Sequence, residues 1–154
     1  ILISRKGTKS NLKELSAFFV FGPIIVSMTY YLQSYEMNYG ILLAGISPGL
    51  ISASGYLITR LKSREGIKSE QAERILKTAY CYLITTASLL PVLIYGIIND
   101  HPIILSCSTI SLFAIPNFKR ILSKKDLNFL ESALNINYRL LLIYTILFSA
   151  GWIF

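Results

Sequence analysis

The chain has 154 residues, of which 53% are apolar and 15% charged, with a mean hydropathy of +0.55 and a net charge of +7. That is too apolar for a soluble domain of this size. Its 15 Lys and Arg residues lie only in 5–13, 60–77 and 119–139, beside apolar runs. Anionic lipid accounts for charge placed this way, and no basic platform interleaved with aromatics offers itself to nucleic acid.

The uncharged runs are 15–35, 37–59, 78–99, 102–118 and 140–154. About 20 apolar residues cross a bilayer core as a helix. The first three runs meet that length and the fourth is short. The fifth reaches it if Ile136–Tyr138 join and Arg139 snorkels to the headgroups. The segments 33–38 and 99–101 contain no Lys or Arg. Cations confined to one side mark the cytosolic face of a multi-spanning protein. The expectation is one all-α membrane domain over 1–154, with five transmembrane helices at about 15–32, 39–59, 70–98, 102–118 and 137–154. Cytosolic loops fall at 1–14, 60–69 and 119–136, and the C-terminus lies on the far side of a bacterial inner membrane or its equivalent. The polar opening, Ser4 to Ser10, reads as a loop between spans of something longer.

In chain order, Gly22–Pro23 predicts a kink in the first span, because Pro frees a carbonyl one turn back. Tyr30, Tyr31, Tyr35 and Tyr39 around Glu36 form an aromatic belt at the far interface. The second span carries Gly40, Ala44, Gly45, Ser47, Gly49, Ser52, Ala53, Ser54 and Gly55, the small residues that let helix backbones approach closely. That places it at the centre of the bundle, with a bend at Pro48–Gly49. Ser69 is a good N-cap for a third helix beginning at Glu70 and bent near Pro91. Asn99 to Pro102 turns into a fourth span ending near Pro116–Phe118. Leu127, Leu130 and Leu134 then predict a short amphipathic helix lying on the cytosolic leaflet.

Catalytic motifs are wanting. The chain has no HExxH, GxSxG or P-loop, and no ionisable residue deep in a span that could relay protons. His101 is a solvated turn residue, and Cys81 and Cys107 are free thiols within spans.

Three stretches carry a resemblance: Phe21-Gly22-Pro23-Ile24-Ile25-Val26, then Tyr30-Tyr31-Leu32-Gln33, then Leu43-Ala44-Gly45-Ile46-Ser47-Pro48-Gly49-Leu50. They resemble the second half of the UbiA superfamily of intramembrane prenyltransferases, nearest the 1,4-dihydroxy-2-naphthoate polyprenyltransferase branch of menaquinone synthesis. Leu12-Lys13-Glu14-Leu15 precedes them, and Ile110–Pro116 and Tyr138 through Gly151 follow, as in that family. The resemblance implies the fifth to ninth helices of a nine-helix bundle, acting on a prenyl diphosphate and an aromatic or quinoid acceptor. It also implies an NNxRDxxxD signature at the end of the second helix, whose carboxylates hold Mg²⁺ on the diphosphate. Here those positions are Thr59, Arg60, Lys62, Ser63 and Ile67, and 59–77 contains no Asp. Glu65 and Glu70 are the nearby acids. The metal half-site is degenerate, so no catalytic residue is assigned. Arg60, Lys62, Arg64 and Lys68 remain candidates to grip a diphosphate directly, and Mg²⁺ enters only if the family's activity survives. The expected function is a prenyltransferase-like protein of quinone biosynthesis, degenerate in this chain. The alternative is a non-catalytic subunit that binds isoprenoid, quinone or other membrane subunits.

Overall fold

Gly22 and Pro23 shape the first helical unit. The computed structural model describes residues 5–37, 39–63, 67, 69–98, 109–123 and 127–153. Helix α1 (Arg5–Phe19) runs into one π turn (Val20–Ile24) and leaves it as α2 (Ile25–Ser34). Pro23 lacks an N–H and its ring crowds the turn before it, so the ladder widens there. Gly22 leaves the helical region at φ −106° and ψ −110°. The kink expected at this dipeptide is present. The opening stretch differs from expectation, since it is helical from Arg5 rather than a loop. Only Gly7 among Arg5–Leu15 disfavours a helix strongly, and the Lys, Leu and Glu residues there favour one.

Tyr35 ends α2 in the left-handed conformation, φ 56°, with its N–H donating to Tyr31 O at 2.8 Å. The chain reverses and enters α3 (Tyr39–Ser63), which runs through Pro48 as one helix. This helix lies antiparallel to the first unit and crosses it backbone on backbone. A Cβ on Gly22 would stand 2.6 Å from Gly45 O, and one on Gly49 2.6 Å from Phe18 O. In lipid, apolar burial gives two helices little reason to pair, and close contact of this kind supplies it.

α4 (Glu70–Ile98) starts where its cap predicts. The Ser69 hydroxyl accepts the Ala72 N–H at 3.2 Å, and Glu70 and Glu73 sit in the positive first turn. Pro91 is accommodated within this helix. α5 (Ile110–Ser123) continues past Pro116–Phe118 and carries Lys119 and Arg120 as helical residues. α6 (Leu127–Ile153) is a single helix of 27 residues.

The last observation corrects the expected interfacial helix. The stretch read as lying on the leaflet is the opening of α6 itself. Leu130, Ala133, Asn137, Leu140 and Tyr144 are all buried, at steps of three and four. They face α3 and α5, both of which pack on α6. The apolar stripe assigned to lipid therefore meets other helices.

α3 is central: it packs against α1, the π turn, α2, α4 and α6, while α5 closes onto α4 and α6. Of its most apolar window 67% is buried, against 17% for Leu12–Ser34. The core gathers Ile51, Ile58, Tyr80, Ile84, Ile121 and Tyr144. All described regular structure is helical. Among the described residues two helices, Leu12–Ser34 and Tyr39–Ser63, are long and apolar enough to cross a membrane, with a hydropathy of 1.7 each.

Candidate functional site

The end of α3 brings together the first of the candidate cations. Arg60 and Lys62 lie in its last turn, where positive charge also offsets the unpaired carbonyls of a helix C-terminus. Neither projects alone. Arg60 Nη1 donates to Glu14 Oε1 of α1 at 3.0 Å, both side chains about four-fifths buried. Lys62 Nζ stands 3.4 Å from Glu131 Oε2 of α6, in a more exposed pair. The two contacts tie α1 and α6 to the same end of α3. A third cation of the cluster, Lys77, is buried and reaches Glu73 one turn away on α4 at 2.8 Å. Arg64, Glu65 and Lys68 lie outside the described residues, as do His101 and Cys107. Cys81 is a free, partly buried thiol.

The two positions at which the resemblance calls for aspartates are both described. Ser63 is exposed and turns its hydroxyl back onto its own helix, donating to Arg60 O at 3.3 Å. Ile67 packs against the hydrophobic core. Mg²⁺ on a diphosphate requires carboxylate oxygens. One hydroxyl engaged by the backbone and one partly buried alkyl chain do not fit it. The described residues contain no group of three or more His, Cys, Asp or Glu placed to hold a metal.

Deeper in the bundle lies a polar network that no sequence motif announces. The Asn137 amide donates from Nδ2 to the Ile51 carbonyl at 3.0 Å. Ser54 Oγ lies 2.6 Å from that carbonyl and 3.0 Å from Asn137 Oδ1, able to donate to one at a time. Gly55 makes room for this, since a Cβ there would fall 2.9 Å from Asn137 Nδ2. One turn back along α6, at Ala133, the side chain of Asn117 comes in from α5: its Nδ2 donates to Tyr80 Oη at 2.9 Å and reaches Ala133 O at 3.5 Å. The Tyr80 ring meets Phe118 edge-on, with centroids 6.0 Å apart. Ala133 precedes Asn137 by four residues, so α6's own ladder joins the two amides. Among the described residues Asn117 Oδ1 has no partner. The signal in the chain was weak, since Asn137 shares α6 with Asn128 and Asn135, and Asn117 stands close to Lys119 and Arg120 on α5. The partners of either amide, distant in sequence, were not readable.

An open groove of about 290 Å³ lies between α2 and the start of α3, lined by residues that include Pro23, Met28, Tyr31 and Leu42. It is apolar, and it lies just past the kink at Gly22–Pro23. Tyr31 and Tyr35 stack edge-on beside it at 6.4 Å, and Tyr35 and Tyr39 are largely exposed.

No family model, curated protein or solved structure matches the chain.

Proposed function

We propose that this chain is a five-span membrane bundle of UbiA type that binds an isoprenoid-bearing lipid without transferring its prenyl group. In this reading the basic ends face the cytosol and the C-terminus the far side. Three features support the five spans. Two helices meet the length and hydropathy of a span. α4 and α6, with 29 and 27 residues, extend roughly 40 Å each, beyond the roughly 30 Å of a hydrocarbon core. Apart from Arg139, which lies midway along α6 and must snorkel, cations occur only at the ends that this topology assigns to one side.

The loss of catalysis rests on the two positions that the resemblance gives to metal ligands: they are Ser63, bonded to its own helix, and Ile67, partly buried against the core. Without carboxylates there, departing pyrophosphate has nothing to bring a divalent ion to its developing charge. Arg60, Lys62, Arg64 and Lys68 attend the phosphate end by direct charge complementarity. The apolar groove beside α2 suits the hydrocarbon chain.

The test is prenyl transfer by the full-length protein, with Mg²⁺, a labelled polyprenyl diphosphate and an aromatic acceptor. The expected outcome is no turnover above blank while the isoprenoid still binds. Turnover that falls when Glu65→Gln is introduced would reverse the assignment. A second reading, a membrane subunit without a lipid ligand, draws on the apolar surface that the Leu12–Ser34 unit leaves uncovered. Absence of isoprenoid binding would select it.

A further inference from the structure

We infer that Glu14 and Glu131 act as an internal latch, neutralising Arg60 and Lys62 until a phosphate-bearing group displaces them. The inference rests on the reading above that the end of α3 receives phosphate.

The two cations sit two residues apart in the last turn of α3 and so leave it on different sides, each engaged by a carboxylate from a different helix; only the helix end is shared. Those helices, α1 and α6, both pack against α3. The cation site and the closure of the bundle's basic end are thus built from the same four side chains. A carboxylate is the nearest side-chain analogue of a phosphate oxygen pair, so each acid fills the place an incoming oxyanion would take. Phosphate brings a further acceptor oxygen and up to one more negative charge. It can therefore outcompete a carboxylate for Arg60 once the two meet.

The pairs differ in how readily they yield. Lys62–Glu131 is longer, at 3.4 Å, with side chains 42% and 65% exposed, so water and salt screen it. Arg60–Glu14 is shorter, at 3.0 Å, with side chains 17% and 21% exposed. Exchange begins at Lys62 and is completed at Arg60. Because the displaced acids belong to α1 and α6, binding at this end also breaks the ion pairs between those helices and the end of α3, while their packing along α3 remains.

Inorganic pyrophosphate, titrated by calorimetry into the full chain in phosphatidylcholine nanodiscs, tests this. A site latched in roughly nine molecules of ten gains about tenfold in apparent affinity when the latch is removed. The double variant E14Q/E131Q is expected to show that gain, and R60Q/K62Q to lose binding. An affinity that E14Q/E131Q leaves unchanged or weakens, while R60Q/K62Q still abolishes it, overturns the latch and leaves the phosphate reading standing. Equal affinity in all three proteins overturns both. Should the double variant unfold, E131Q alone touches only the exposed pair and carries the same test with a smaller gain. Repetition in phosphatidylglycerol nanodiscs separates the sources of phosphate once the gain is seen. Weaker pyrophosphate binding by E14Q/E131Q there supports a latch opened by lipid headgroups, and unaltered binding one opened by free phosphate.

Discussion

Gly55→Ala turns the packing of α3 against α6 into a question of sign. In most helix interiors this substitution stabilises by about 1 kcal/mol, because Ala loses less backbone freedom than Gly. Here the added Cβ would stand 2.9 Å from Asn137 Nδ2. Asn137 is short and buried, and is held by the Ile51 carbonyl and Ser54. To escape, it must abandon those partners inside a buried site. An unsatisfied buried polar group costs about 1–3 kcal/mol, and the displaced amide exposes both its ends to that penalty. At about 1–3 kcal/mol for each end the penalty exceeds the propensity gain of about 1 kcal/mol, so G55A should destabilise by at least about 1 kcal/mol net. In an N137A background the obstacle is gone, and the same substitution should stabilise by about 1 kcal/mol. The two-by-two set can be measured by reversible SDS unfolding in mixed micelles, followed by far-UV circular dichroism. Equal stabilisation by G55A in both backgrounds would refute the Asn137–Ile51 bond and the close approach that permits it.

Gly45→Ala meets backbone rather than a side-chain tip, its Cβ falling 2.7 Å from Pro23 Cα; it should destabilise by about 1–3 kcal/mol in the same assay, with no rescue by side-chain truncation nearby. A double-mutant cycle on Glu14→Gln and Arg60→Gln should give a coupling of about 1 kcal/mol or less, shrinking as salt is raised, since the pair is only partly shielded. Tyr80→Phe removes the oxygen that accepts the Asn117 Nδ2 proton and should cost about 1 kcal/mol. Adding Asn117→Leu to it should recover much of that loss, because Asn117 Oδ1 has no partner among the described residues to forfeit.

What could be read from the chain depended on how local the signal was. The kink came from a Gly-Pro dipeptide and the start of α4 from Ser69, Glu70 and Glu73, each a matter of one helical turn. The central place of α3 came from its small residues, which have few other uses in an apolar helix. The end of α5 and the start of α6 were misjudged because Lys124, Lys125 and Glu131 made the stretch look like surface. Burial of Leu130, Ala133 and Asn137 on the opposite side of α6 depends on α3 and α5, which no local pattern reveals. The same holds for the ion pairs. Arg60 and Lys62 were legible as cations, but Glu14 and Glu131, which engage them, lie on other helices.

Sidedness is tested most directly by cysteine accessibility. Single cysteines would be placed at Lys13, Lys62, Lys119 and Met37 in a chain whose Cys81 and Cys107 are replaced by Ser. Each variant would be treated with a membrane-impermeant maleimide in right-side-out and in inside-out vesicles. The account predicts labelling of Met37→Cys only from the outside, and of the other three only from the cytosolic face. Lys62→Cys and Lys119→Cys reacting from opposite faces would contradict it.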